Sequence, residues 1–436
     1  MPATSRPPRP RWSLRARLLL AACALLPALT AVELLLHAAP GLLPEWFRRR
    51  YPPNGIELFT PGVLDRIPVT ELPLPYGVTP YRGAPPHDLV DLGLATLADA
   101  EVDRREVPTL SLPIDSDGLP NVTRPARPDL LLVGDSFTVF GAQREPTGLQ
   151  HELERLLPAT VLNVAISGIG PDQELFLMRR VGLPAEPRLC VWFFFGGNDV
   201  VDSLLAMLPH APGIGTLGEL FAGRRAPRLL LPALVGALLT PEAPAKAPVA
   251  GPLPGLPLRD RPERRLWFYP DTLRVMAQPR AALRDKPGWL NLRAVLARAK
   301  AAADAAGSGF LVVFVPAKEQ VYLPLVADDP ALLQRFAVAS PLHALLLPDD
   351  ARALQQLLLA NRAGIEQELA RDCAAAGIAF WSATPTIEAV AAAGVPAYYA
   401  CDSHWRAEAQ RAVAAALAAH VRVRNLLPRC PPAARA

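Results

Sequence analysis

Short apolar runs alternate with stretches of helical periodicity from residue 129 onwards. Apolar runs bounded by glycine or polar turns are typical of strands buried on both faces, and stripes at i, i+3 and i+4 are typical of amphipathic helices. This alternation predicts an α/β fold in three layers, with a five-stranded parallel sheet between helices. The predicted strands are 130–133, 161–166, 189–195, 310–315 and 378–381. The predicted helices are 147–157, 172–181, one carrying the stripe 292–303, a long one from 350 to about 377, and 406–420.

The longest apolar stretch lies near the N-terminus, at residues 18–43, where Glu33 and His37 are the polar exceptions. An α-helix needs about 20 apolar residues to cross the hydrocarbon layer, so this stretch predicts a transmembrane anchor. The basic tail 1–17 holds five arginines and no acidic residue. By the positive-inside rule this predicts a single-pass protein of the inner (cytoplasmic) membrane, with its catalytic domain periplasmic or extracytoplasmic. Three arginines at 48–50 argue for the opposite orientation.

Two other N-terminal signals are alternatives to an uncleaved anchor. One is a cleaved signal peptide, and the other is a lipoprotein signal ending at Cys23. Both fit less well, because the apolar run exceeds the roughly 7–15 residues of a signal-peptide core and only a short hydrophobic run precedes Cys23.

The remaining chain divides into a connector, a domain and a tail. Residues 44–128 are rich in proline and predict a connector that wraps the core, residues 129–422 form the domain, and 423–436 are a tail. The periodicity is interrupted at about 200–287, which predicts an insertion. An apolar run within it, 229–239, is too short to span a bilayer and predicts either a buried helix or a segment on the membrane surface.

Composition and cysteine usage narrow the classes of function. The chain is 51% hydrophobic and 20% charged with a net charge of +4, so it is neither disordered nor a nucleic-acid binder. The five cysteines form no Cys-x-x-Cys pair and have no histidine at metal-ligand spacing, which argues against a zinc site. The sequence has no Gly-x-x-x-x-Gly-Lys loop and no Gly-x-Gly-x-x-Gly after a strand, so no cofactor is predicted. Outside the cytoplasm, one disulfide could join two of Cys373, Cys401 and Cys430, whereas Cys190 is predicted to be a buried thiol.

Polar residues follow the predicted strands at the edge where parallel sheets hold their reactive groups. Ser136, in a turn between strand and helix, is a candidate nucleophile; His404 is a candidate base, and Asp402 is the acid that would orient it. The backbone N–H groups of Ser136 and Gly168 and the side chain of Asn198 are candidate oxyanion donors. Each residue alone is more typical of an ordinary turn or helix cap, but their combination indicates a site.

These residues lie in blocks that resemble the SGNH (GDSL-type) hydrolase superfamily over about residues 129–422. The blocks are Gly-Asp-Ser-Phe at 134–137, Asn-Val-Ala-Ile-Ser-Gly at 163–168 and Gly-Gly-Asn-Asp at 196–199. Asp402 and His404 fall where that family carries its acid and base. The resemblance implies a flavodoxin-like sheet and ester or acyl-transfer chemistry through a covalent acyl-enzyme. It also implies a Ser136, His404 and Asp402 triad, with no metal.

The spacing of the last block differs from most of that family, which has Asp-x-x-His, since position 401 is cysteine here. The run Asp-Ser-His-Trp at 402–405 is instead similar to the Asp-x-His-Trp motif of periplasmic alginate O-acetyltransferase-like proteins. Pro-Ala-Lys-Glu-Gln-Val-Tyr at 316–322 is similar to another segment of that subgroup. Those proteins carry their histidine motif before the serine block, whereas here the serine comes first.

The expected function is therefore that of a membrane-anchored serine esterase acting on O-acyl esters, O-acetyl esters in particular. One alternative is an O-acetyltransferase that modifies an exopolysaccharide or cell-envelope glycan; another is a non-catalytic glycan-binding subunit. Expected partners are the ester or glycan, the membrane, and polysaccharide-export or acyl-donor membrane proteins. Lys318 is expected either to help bind substrate or to be a solvated loop residue. Trp405 is expected either to line a sugar subsite or to pack in the core.

Overall fold

Five parallel strands form the central sheet of the computed structural model, which describes residues 13–39, 42, 112–113, 115, 119–143, 147–205, 231–232, 234–235, 253–339 and 347–427. The strands in chain order are β1 (Leu130–Val133), β2 (Val161–Asn163), β3 (Leu189–Phe195), β4 (Leu256–Pro257), β5 (Arg265–Leu266), β6 (Gly309–Val315) and β7 (Ala379–Ser382). The sheet has the order β2-β1-β3-β6-β7, and β4 and β5 form a separate antiparallel pair. This is the strand order of flavodoxin-type sheets, in which the winding reverses between β1 and β3.

Of the helices, one precedes the first strand, and the others connect the strands or follow the last one. They are α1 (Leu14–Ala38), α2 (Ser136–Phe140), α3 (Leu149–Leu156), α4 (Pro171–Leu177), α5 (Asp199–Leu205), α6 (Pro270–Met276), α7 (Arg280–Leu283), α8 (Pro287–Ala305), α9 (Lys318–Tyr322), α10 (Pro330–Val338), α11 (Ala351–Asn361), α12 (Gly364–Ala375), α13 (Thr384–Ala392) and α14 (Ala407–Val423). The predicted α/β class and five-stranded parallel sheet are confirmed.

The two faces of the sheet carry separate hydrophobic cores. Successive side chains of a strand point to opposite faces, so Leu132 belongs to one core and Leu131 to the other. The first core packs against α3, α10, α11 and α14, and the second packs against α4, α8 and α12. The strands are therefore buried on both faces, which explains why they appear in the sequence as continuous apolar runs.

The prediction of one long helix from 350 to about 377 is wrong, because two helices occupy that range. Asp350 caps α11 as expected, since its carboxylate accepts a hydrogen bond from the Ala353 N–H at 2.7 Å. The chain then breaks at 362–363 and continues as α12. Leu354 of α11 packs in the first core and Leu369 of α12 packs in the second. A single straight helix could not supply both cores, so the break is where the chain crosses from one face to the other.

Other element boundaries differ less. The second strand ends at Asn163 rather than at 166, and the helix predicted at 172–181 is α4 followed by a π-helical turn, Met178–Gly182. The part of the insertion at 253–287 is structured, as it contains β4, β5, α6 and α7. Most of the run 229–239 and most of the connector lie outside the described residues.

The end of the connector lies against the edge strand β2. The Asn121 side chain donates to the backbone oxygen of Asn163 at 2.9 Å and accepts from its backbone N–H at 2.8 Å. Asp115 accepts a second hydrogen bond from the Asn121 amide at 2.9 Å. The Asn121 side chain thus provides the hydrogen bonds that a further strand would make at this position.

The transmembrane helix predicted at 18–43 overlaps α1, which runs from Leu14 to Ala38. Within the part of the chain that the structure describes, no helix combines the length and apolarity needed to cross a membrane, so the predicted span is not found. Cys190 and Cys373 are buried free thiols, which confirms the prediction for Cys190, and the buried Cys401 is not bonded to Cys373. Cys430 lies outside the described residues.

Candidate functional site

Ser136 is the first residue of α2, directly after the end of β1. Asp135 caps this helix by accepting a hydrogen bond from the Phe137 N–H at 3.0 Å. Gly134 joins the strand to the cap with φ +155°, and a Cβ at this position would lie 3.0 Å from the Phe193 carbonyl oxygen of β3. The glycine therefore allows β1 and the helix start to lie close to β3, and Ser136 remains half-buried.

Asp402 and His404 form a hydrogen-bonded pair. Their two-residue spacing in the sequence does not by itself show whether the two side chains meet. The Asp402 Oδ1 lies 2.7 Å from the His404 Nδ1 and accepts from the His404 backbone N–H at 2.8 Å. The aspartate thus orients the imidazole and also stabilises the turn that brings it back. Burial by itself would raise the pKa of Asp402, but the His404 charge and hydrogen bonds outweigh it and hold the pKa below its ordinary value.

The His404 ring packs on the helix that begins with Ser136. It stacks on Phe140 with ring centroids 3.8 Å apart and planes 4° apart, and it contacts Phe137 at a centroid distance of 4.8 Å. Because Phe137 is the residue after Ser136, the predicted base and nucleophile are held on adjoining parts of one packed unit. Trp405 meets Phe137 edge-on at 5.3 Å and is buried in the first core, so the core interpretation of Trp405 is correct.

Asn198 follows β3 and neighbours the serine block. Its side-chain amide and the His404 charge both favour the ionised form of Asp135, although burial dominates and raises the pKa of Asp135 to about 6. Asp199, the next residue, accepts from the Phe195 N–H at 2.8 Å and fixes the turn after β3. Ser136 and Asn198 therefore flank the point between β1 and β3 where ligands bind in such sheets.

Gly168 lies beyond the end of β2, on the same edge of the sheet. Its φ of +75° is in the left-handed region, and a Cβ there would have no heavy atom within 4 Å. The glycine is thus required by the backbone and not by crowding. Strand order puts Gly168 on the same side of the sheet as Ser136, but its role as an oxyanion donor stays a prediction.

Lys318 lies next to the segment that carries Asp402 and His404. It is fully buried in α9, after β6, and its ammonium donates to the backbone oxygens of Tyr399, Ala400 and Asp402 at 3.4, 3.1 and 2.9 Å. It is therefore not a solvated loop lysine. The rule that reactive groups follow the strands of a parallel sheet, applied to β6, would have predicted its place beside the site.

A group of carboxyl side chains next to the site went unnoticed in the sequence. Asp135, Asp172, Glu174 and Asp199 are buried, Asp202 is half-buried, and they influence one another's ionisation. Burial raises the pKa of Asp172 to about 7 and that of Glu174 well above its ordinary value. No group of three or more metal-ligating residues suited to a metal ion occurs among the described residues.

No protein-family model matches the sequence, and a search of curated proteins finds no match.

Proposed function

We propose that the protein is a serine hydrolase of the SGNH type that cleaves O-acyl esters. The proposal rests chiefly on one observation, the packing of the hydrogen-bonded Asp402 and His404 pair against the helix that begins with Ser136. A serine hydroxyl is a weak nucleophile without a base, and a histidine oriented by a carboxylate is the usual way to activate it.

In the proposed acylation step, His404 takes the proton of the Ser136 hydroxyl as its oxygen attacks the ester carbonyl carbon. The carbonyl oxygen becomes an oxyanion, which the N–H groups of Ser136 and Gly168 and the Asn198 amide stabilise. Collapse of this intermediate breaks the ester bond, and His404 returns the proton to the leaving alcohol. Water then attacks the acyl-serine by the same sequence, with His404 as base, and releases the acid.

Labelling with a fluorophosphonate probe tests the triad. We expect the wild-type protein to be labelled and Ser136→Ala and His404→Ala to lose labelling, whereas Ser382→Ala, at the end of β7 on the same sheet edge, should be labelled like wild type. Hydrolysis of p-nitrophenyl acetate should follow the same order. An unlabelled wild-type protein that does not cleave acetyl esters would contradict the proposal.

Acyl transfer to a glycan is a second candidate, and one contact favours it. The two segments that resemble the O-acetyltransferase subgroup, 316–322 and 402–405, touch each other, since Lys318 donates to the Asp402 carbonyl at 2.9 Å. In this version a sugar hydroxyl replaces water in the second step. Mass spectrometry of an oligosaccharide incubated with the protein and an acetyl donor separates the two: a gain of one acetyl group supports transfer, and free acetate alone supports hydrolysis.

The same assay covers a non-catalytic glycan-binding subunit, which would bind the oligosaccharide without releasing acetate or gaining label. A location outside the cytoplasm, with polysaccharide-export or acyl-donor membrane proteins as neighbours, belongs to the proposal and rests on the N-terminal arginines alone. Protease accessibility of the domain in spheroplasts tests that location.

A further inference from the structure

Lys318 is a buried cation that joins two parts of the chain distant in sequence. Its side chain is fully buried, and the three donors of its ammonium face a cluster of backbone oxygens at 399–402. That segment leads directly into the turn formed by Asp402 and His404. The lysine therefore binds the backbone of the segment that carries the proposed acid and base.

Residues in and just before α9 also form hydrogen bonds with the loop 397–402. The Tyr322 hydroxyl accepts from the Ala397 N–H at 3.1 Å, one helical turn along from Lys318. Just before the helix, the Pro316 carbonyl accepts from the Tyr398 hydroxyl at 2.6 Å. The loop is thus fixed along its length, and Lys318 makes the contact nearest to Asp402.

The charge of Lys318 has a consequence beyond these hydrogen bonds. Neutral donors could also bind carbonyl oxygens, and burying an ammonium is costly unless an opposite charge compensates it. Asp402 provides that charge, because Lys318 is among the groups that favour its ionised form. Asp135, the N-cap residue of α2, also interacts with the imidazole through its charge. Lys318 opposes protonation of His404, whereas Asp402 and Asp135 favour it.

We infer that Lys318 is a positioning residue that holds the Asp402–His404 turn against α2 and keeps the imidazole neutral so that it can act as the base. This inference rests on the proposed function.

The test compares Lys318→Met with Gln320→Met on p-nitrophenyl acetate across pH 5–9. Gln320 is the matched control because it is a buried polar residue of the same helix. Its amide donates to Glu366 at 2.7 Å, whereas the Lys318 ammonium donates to the segment 399–402. We expect Lys318→Met to lose on the order of 10–100-fold in kcat with KM little changed. The acid limb of its kcat/KM profile should move to higher pH by about 0.5–1 unit. The reason is that loss of the lysine charge makes protonation of His404 easier and raises its pKa.

A purely structural lysine would reduce activity without moving the acid limb. An unmoved limb, or a kcat equal to that of Gln320→Met, overturns the inference. If Lys318→Met does not unfold cooperatively, Lys318→Gln, which keeps a neutral donor, takes its place with the same expected shift. Failure of both variants to fold while Gln320→Met folds also overturns it.

A second measurement separates this inference from the proposed function. NMR titration of ¹³C-histidine-labelled protein, with His404 assigned by its loss in His404→Gln, follows the imidazole without any substrate. A wild-type protein that is neither labelled nor active contradicts the proposed function. In that case a higher titration midpoint of His404 in the Lys318 variant still supports the effect of the charge, and an unchanged midpoint overturns it.

Discussion

One oxygen of Asp402 serves both the backbone and the imidazole of His404. Because Oδ1 accepts the His404 N–H and also faces its Nδ1, the chain needs one residue between acid and base to close the turn. The two-residue spacing is therefore a workable geometry for a dyad. It also leaves little freedom for the ring, which stacks on Phe140.

Asp135 should also influence this base through its charge. Above its pKa of about 6 it is an anion near His404 and favours the imidazolium. We therefore expect Asp135→Asn to move the acid limb of the kcat/KM profile to lower pH by about 0.5–1 unit, opposite in sign to the Lys318 variant. The asparagine oxygen can still accept from the Phe137 N–H, so the helix cap is kept.

The control for this variant is Asp172→Asn, which changes another buried carboxyl of the same group. It should leave the acid limb where wild type has it. A limb that moves equally in both variants would show that the shift comes from general rearrangement of the interior and not from the charge of Asp135.

At the scale of the elements, the turn from β1 to α2 depends on Gly134. An alanine there would have to adopt φ +155° and would place its Cβ 3.0 Å from the Phe193 carbonyl and 2.2 Å from the Thr138 hydroxyl. We expect Gly134→Ala to lower the free energy of unfolding by about 2–4 kcal/mol, because backbone strain adds to clashes with the Thr138 side chain of α2 and the Phe193 carbonyl of β3. Urea unfolding followed by circular dichroism measures the change.

Gly168→Ala is the matched variant, since φ is +75° but no heavy atom lies within 4 Å of its Cβ. Only the strain of the left-handed backbone conformation then applies, and the free energy of unfolding should fall by about 1–2 kcal/mol. If both variants lose equal stability, close contact with Thr138 and Phe193 is not what requires Gly134.

The elements also show which structural features a sequence pattern can predict. Strands buried on both faces leave continuous apolar runs, so β1 and β3 were predicted at their observed bounds. The break between α11 and α12 leaves no such mark, because it depends on which core each helix faces. The position of Ser136 after β1 was predictable from the strand pattern, whereas Asp402 and His404 follow the helix α13 and not a strand end, and the roles of all three residues stay predictions. The contacts of Lys318 were not predictable, because only the folded chain shows that its ammonium binds the backbone of a loop about 80 residues away.

For the whole molecule, the buried carboxyl groups link stability to pH. A carboxyl whose folded pKa is raised keeps its proton in the native state after the unfolded chain has lost it. Stability then falls as pH rises from the ordinary value of about 4 to the raised value. Asp172 is suited to measuring this, because burial raises its pKa from 3.8 to about 7 and the Asn291 amide binds its Oδ2 at 2.9 Å.

We expect Asp172→Asn to gain stability relative to wild type between pH 4 and pH 7, by up to about 1.4 kcal/mol per pH unit, and to show no further gain above pH 7. The asparagine resembles the protonated acid and can still accept from Asn291, so little packing changes. Asp129→Asn is the control: the pKa of Asp129 is lowered, so Asp129 is ionised in both states from about pH 5 to pH 7, and the difference from wild type should not vary with pH there. Urea midpoints at each pH measure both variants, and a difference for Asp172→Asn that stays constant from pH 4 to pH 7 would show that Asp172 ionises normally in the folded protein.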